Sequence, residues 1–154
     1  MTDIEKIDKL INHIRNVQDN ALILGKKLIE KGDTLLGKRL IINSMSHDLS
    51  KFSGIEFDNL HKEAEKDDLK EAIYQHNSTN LHHPEASNGV ANMDEVFICE
   101  FTCDTLARAQ ELASDYLDWL SNDAAKRYNF TTKSQFYKKV VKYYNLIIDN
   151  PFKK

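Results

Sequence analysis

The 154-residue sequence has little of what punctuates a sheet protein, with only five glycines and two prolines. Strand-and-turn folds need such residues at most chain reversals, so their scarcity points to long helices. Cysteine is as rare: Cys99 and Cys103 lie four apart in a helix-like segment, too few and too close for a disulfide framework, and read as buried, reduced thiols rather than ligands. No apolar run is long enough to cross a bilayer, and the polar start Thr2, Asp3, Glu5 and Lys6 is unlike a secretory leader. The expected location is therefore the cytoplasm, with no membrane partner. Net positive charge is missing too, the formal value being −3. That removes the electrostatic drive toward a nucleic-acid backbone, and with it sequence-specific nucleic-acid binding, but leaves single nucleotides open as ligands. Lys138, Lys139, Lys142, Lys153 and Lys154 read as the solvated side of a terminal helix.

What is present is a balance of 41% hydrophobic and 29% charged residues, that of a packed, water-soluble domain. The length allows one hydrophobic core, so residues 1–154 are read as a single all-α domain, a bundle of six to seven helices. Ile4, Ile7, Leu10, Ile11, Ile14, Val17, Ala21, Leu24 and Leu28 recur at helical spacing and predict a first helix from Asp3 to about Lys31, capped by Gly32. His13 falls on its apolar face. A second helix, slightly weakened by Gly37, is expected from Asp33 to the neighbourhood of His47 and Asp48.

Ser53 with Glu56 matches a capping box and predicts a third helix to about Lys66, with a further short one through Leu69, Ala72, Ile73 and His76, ending before Ser78. The polar stretch from Asn80 to Gly89, with His82, His83 and Pro84, is the longest break, and such loops are often functional. Asn92 with Glu95 is a second capping signature, opening a long helix through Val96, Phe101, Leu106, Leu112, Tyr116 and Leu120. A short helix near Asp123 to Tyr128 and a longer one from Ser134 to Asp149, stopped by Pro151, complete the reading. Phe97, Tyr116 and Trp119 are assigned to the core.

Five of the six histidines, His13, His47, His76, His82 and His83, fall at helix ends, on a buried face or in the polar loop. Imidazole nitrogen and carboxylate oxygen together suit a divalent ion such as Mn, Fe, Zn, Co, Ni or Mg. A lone His-Asp dipeptide is common by chance. The ordered set of a histidine, the pair His47-Asp48, further histidines and then Asp104 is far more specific. Glu100, Asp104 and Arg108 are spaced by fours and form a column on one helix, read either as a row of salt bridges or as ligand, proton acceptor and anion contact.

On these residues the chain resembles the HD-domain superfamily, whose members bind a divalent metal through that ordered set and mostly hydrolyse phosphate esters of nucleotides. The resemblance implies His13, His47, Asp48 and Asp104 as metal ligands, with Lys51 where many members carry a lysine. A closer likeness is to a small bacterial and bacteriophage group, carried by His47-Asp48-Leu49-Ser50-Lys51-Phe52, Glu56, the run from His76 to Glu85, Glu100 and Asp104. It implies a bacterial or phage-infected cytoplasm.

Two-metal members place two well-separated histidines between the pair and the last aspartate, whereas here His76 and His82 or His83 lie close together. These three are the candidate second-metal set. The implied activity is hydrolysis of a small phosphorylated substrate, nucleotide-like, with Lys51, His76 and Glu100 as catalytic candidates. Lys51, Asn80, His82, His83 and Arg108 are the substrate-binding candidates. The same frame serves di-iron oxygen chemistry in some HD proteins, and a non-catalytic metal- or nucleotide-binding protein is the third reading. Nothing in the sequence excludes a homo-oligomer.

Overall fold

The computed structural model describes residues 1–149, and these contain helices and no strand. Pro151, Lys153 and Lys154 lie outside the described residues. Helix α1 spans Asp3–Glu30, opened by a capping box between Thr2 and Glu5. It ends in a Schellman turn: Gly32 adopts φ +98°, its N–H donates to the Ile29 carbonyl, and Asp33 N–H donates to that of Leu28. Val17, Ala21, Leu24 and Leu28 are fully buried, but Ile4 and Ile7 are exposed, contrary to the periodicity. At 1.5 Å per residue the 28 residues of α1 extend about 42 Å, well beyond the 17-residue α5 (Glu95–Glu111) against which it packs, so its first turns reach past that helix.

Helix α2 (Thr34–Ser44) returns along α1. The two backbones meet at Gly25 and Gly37, where a methyl group on Gly37 would overlap the Gly25 carbonyl oxygen. The glycine that weakens α2 thus permits the crossing. Helix α2 stops at Ser44, short of His47, with the Ser44 carbonyl taken up by the Gln18 amide at 3.2 Å.

After a 3₁₀ turn, Leu49–Phe52, come α3 (Gly54–Asn59) and α4 (Lys66–Thr79). Neither proposed capping box forms. Ser53 makes no side-chain cap and α3 ends seven residues early, because Glu56 is drawn into the interior. Asp94, not Asn92, precedes α5; Asn92 donates to the Asn88 carbonyl, and Glu95 pairs with Lys139 and Tyr143. Two 3₁₀ turns, Pro84–Ser87 and Val90–Asn92, fold the polar loop into compact structure.

The long helix expected through Leu120 is broken after Glu111, where Ala113 takes φ +51°. A new helix starts at the Asp115 cap: α6 (Tyr116–Trp119) runs through a π turn at Leu120–Ala124 into α7 (Ala125–Arg127). Helix α8 (Gln135–Ile148) packs on α5 and α1 and buries Phe136, Val140, Tyr143 and Ile147. Lys138 and Lys142 are exposed on its outer side, while Lys139 is half-buried against Glu95. Cys99 and Cys103 are buried and free; burial is the main cause that pushes the Cys99 thiol up to about 12. Tyr116 is buried, and Phe97 and Trp119 pack against the same core. Among the described residues no helix is long and apolar enough to cross a membrane.

Candidate metal centre

The centre forms where four elements meet: α1 brings His13, the chain after α2 brings His47 and Asp48, α4 and its loop bring His76, His82 and His83, and α5 brings Glu100 and Asp104. Adjacent side chains on a regular helix diverge, yet His47 and Asp48 both face inward. The backbone achieves this by leaving the helix after Ser44 and placing Asp48 in the left-handed region, φ 56° and ψ 21°. That conformation costs about 1–2 kcal/mol for a residue with a side chain, least for Asp and Asn.

Asp48 is the hub. Its Oδ2 lies 3.9 Å from His13 Nε2 and 3.3 Å from His47 Nε2, and accepts a 2.6 Å bond from Lys51 Nζ. Its Oδ1 lies 3.4 Å from His76 Nε2 and 3.3 Å from His82 Nε2. Asp104 repeats the division, with Oδ1 at 2.8 Å from His13 Nε2 and Oδ2 at 3.5 Å from His82 Nε2. Two donor groups therefore share Asp48: His13, His47, Asp48 and Asp104 in one, and Asp48, His76, His82 and His83 in the other; a third, of His47, His82 and Glu100, lies on the outer side of the same rings. The closeness of His76 and His82 in sequence is no obstacle, because one stands in the last turn of α4 and the other in the loop that follows.

The outer ring nitrogens are held by carboxylates. His13 Nδ1 lies 2.9 Å from Glu111, His76 Nδ1 2.6 Å from Glu56, and His47 Nδ1 3.0 Å from Glu100. His82 Nδ1 is 3.4 Å from the same Glu100 oxygen. A carboxylate in this position fixes the proton on Nδ1 and turns the basic Nε2 toward the centre.

Charge follows geometry. Burial opposes the charge on His47, but the Asp48 charge, the nearby Asp104 and Asp48 carboxylates and the bond to Glu100 outweigh it and raise its pKa well above the ordinary imidazole range. Burial likewise opposes charge on His82, yet the Asp48 and Glu100 carboxylates within 3.3 and 3.4 Å lift it to about 9. Burial would raise Glu100; its bonds to His47 and His82 bring it down to about 2. Against the same penalty, the neighbouring imidazoles hold Asp48 and Asp104 well below the usual carboxylate range. His83, which no carboxylate clamps, is driven down to about 3 by burial and the charge of His82.

The donor set fits a divalent ion on an independent observation. His47 Nε2, Asp48 Oδ1, His76 Nε2, His82 Nε2 and both ring nitrogens of His83 are buried without a hydrogen-bond partner among the described residues. Each such atom costs about 1–3 kcal/mol when left unmet, and a fold rarely gathers six of them unless a ligand meets them.

A cleft reaches this centre. One cavity of about 430 Å³ is floored by His13, His76, His83 and Asp104 and walled by Lys51, Arg108, Arg127, Trp119 and Tyr128. A second of about 460 Å³ shares His13, Lys51 and Arg108 with it and adds Lys6, Lys9 and Phe57. A smaller one of about 260 Å³ approaches by different residues, His47, Asp48, His82 and Glu100, beside Asn80.

The structure thus brings His13, His47, Asp48, His76, His82, His83, Glu100 and Asp104 together and sets Lys51 and Arg108 at the cleft. Asn80 lines the smaller cavity and not the cleft that holds Lys51 and Arg108, and its amide donates to the His76 carbonyl at 2.8 Å. The column on α5 is no salt-bridge row, since Glu100 serves His47, Asp104 serves His13, and Arg108 pairs with Glu111. Glu100 stands behind its histidines, lining the smaller cavity and not the cleft that holds Lys51 and Arg108. Sequence reasoning took Glu56 for a cap and passed over Glu111, although Glu111 follows Asp104 by seven residues, two helical turns along one face.

Fold and centre together define an all-helical protein with a buried cluster of histidines and carboxylates that can hold a metal ion. Its residues 2–148 match the model of the family of unknown function DUF5662, and the chain belongs to that family. No curated protein and no solved structure matches it.

Proposed function

We propose that the chain is a divalent-metal-dependent hydrolase of a small, nucleotide-like phosphate ester, built on an HD-type helical frame. The observation that carries this reading is the convergence of unpartnered, inward-facing ring nitrogens around Asp48 and Asp104, beside a cation-lined cleft that His76, His83 and Asp104 line. His13, His47, Asp48 and Asp104 would hold one ion, and His76, His82 and His83, sharing Asp48, a second. A bound divalent ion acidifies coordinated water and neutralises phosphoryl charge.

The chain's own residues supply the rest. Lys51, Arg108 and Arg127 bind and orient an anionic group entering the cleft. Trp119 and Tyr128 offer ring faces to the remainder of the molecule. His83, neutral and unpartnered, offers a ring nitrogen for hydrogen bonding to substrate.

Metal-stripped protein reloaded with Mn²⁺, Co²⁺, Zn²⁺ or Fe²⁺ tests the reading against mononucleotides, cyclic nucleotides and 4-nitrophenyl phosphate esters. The expected result is metal-dependent hydrolysis that His47→Ala abolishes. Intact esters with every ion, or equal turnover by His47→Ala, would refute it. The sharing of Asp48 by two donor sets favours a second reading, di-iron oxidation of a small molecule. Two irons per chain in protein purified without added metal, with oxygen consumption, would select that reading instead.

A further inference from the structure

We infer that Glu100 couples the two halves of the metal centre, a single carboxylate oxygen holding the outer nitrogen of one histidine from each donor set. The inference rests on the metal-binding part of the reading above. Three glutamates serve four histidines, and they divide unevenly. Glu111 clamps His13, of the first set, and Glu56 clamps His76, of the second. Glu100 Oε1 alone lies against both His47, of the first set, at 3.0 Å and His82, of the second, at 3.4 Å. Those two rings pack with their centroids 4.4 Å apart, tilted by 41°, so neither can reorient without displacing the other.

Glu100 is itself buried on α5, four residues before Asp104, on the helix that anchors both sets. Glu100 is therefore a positioning residue that acts on two ligands at once, while Glu56 and Glu111 each act on one. Removing a carboxylate behind a metal-bound histidine weakens binding by about 10–100-fold. Loss of Glu100 weakens both ions together.

The test is a titration of metal-free protein with Co²⁺, followed by visible absorption and by elemental count after desalting, in wild type, Glu100→Gln, Glu56→Gln and Glu111→Gln. Wild type is expected to take up two ions, Glu56→Gln and Glu111→Gln to lose affinity for one each, and Glu100→Gln to lose affinity for both. Should Glu100→Gln lack the wild-type far-UV circular dichroism, Glu100→Asp carries the same test, since a shorter side chain withdraws its oxygen from both rings. A loss confined to one ion in the folded Glu100 variant overturns the inference. So does a wild type that binds a single ion, although metal binding itself then stands. A wild type that binds no ion under any condition removes the metal reading along with it.

Discussion

Stripping the chain of divalent ions and restoring one is expected to move its melting temperature by an amount set by the cluster. The metal-free protein buries five ring nitrogens and one Asp48 oxygen without partners. An unmet buried polar atom costs about 1–3 kcal/mol, of which charge attraction returns a part for His47, His76 and His82, whose Nε2 atoms lie 3.3–3.4 Å from Asp48. A ligand that meets them must register in the unfolding equilibrium. An ion present at one hundred times its dissociation constant adds about 2.7 kcal/mol. At about 2–4 °C per kcal/mol for a chain of this size, one ion raises the melting temperature by about 5–11 °C, and two ions by roughly twice that.

Protons compete with the ion for the same nitrogens, which fixes the pH dependence. In the metal-free protein His82 is raised to about 9, so its pairing stabilises fully below about 6.5 and is lost as pH rises through about 9. Glu100, lowered to about 2, contributes above about 4.5 and loses that contribution as pH falls toward about 2. Metal-free protein therefore weakens on the alkaline side, where the deprotonated imidazoles bind the ion best. The ion-induced rise in melting temperature grows between pH 6.5 and pH 9. Circular dichroism melts with and without Co²⁺, Mn²⁺ or Zn²⁺ read both effects. A shift below about 1 °C with every ion, where about 5 °C or more is expected, or an equal shift in His47→Ala, refutes the reasoning.

Three further outcomes follow from particular contacts. Gly37→Ala gains roughly 1 kcal/mol of helix propensity but forces a methyl group onto the Gly25 carbonyl; overpacking of about 1–3 kcal/mol decides the sign, and urea unfolding is expected to show a net loss. Leu24→Ala, at a fully buried position on α1, is expected to cost about 2–5 kcal/mol in the same assay. Cys99, buried with its thiol raised to about 12, is expected to resist iodoacetamide in the native protein and to react once urea unfolds it, followed by mass spectrometry.

Much of the frame was legible because it is local. The Gly32 stop, the span of α1 and the inward phase of His13 depend on residues within a few positions of one another, and the structure reproduces them. The break at Ala113 was hidden, since alanine carries no signal for a positive φ; it is imposed by the docking of the helix that starts at Tyr116. Both capping boxes failed for one reason. A glutamate three residues after Ser or Asn reads as a local cap, but Glu56 is bound to His76 twenty positions away, and Glu95 to Lys139 and Tyr143 on α8.

The residues that sequence reasoning misplaced in the centre are thus mainly carboxylates standing behind histidines. The inward-facing donors show in the chain by residue type and local position: His13 and Asp104 by helical phase, His47-Asp48 as an adjacent pair after a helix, and His82-His83 in the polar loop. An outer carboxylate has only to touch the far edge of a ring, which any neighbouring helix can supply at any separation in sequence, 20 residues for Glu56 and 98 for Glu111. Glu100 belongs to both kinds: it keeps the four-residue phase of Asp104 and yet turns behind His47 and His82. Its position in sequence identified it as part of the site, and only the fold shows on which side of the histidines it stands.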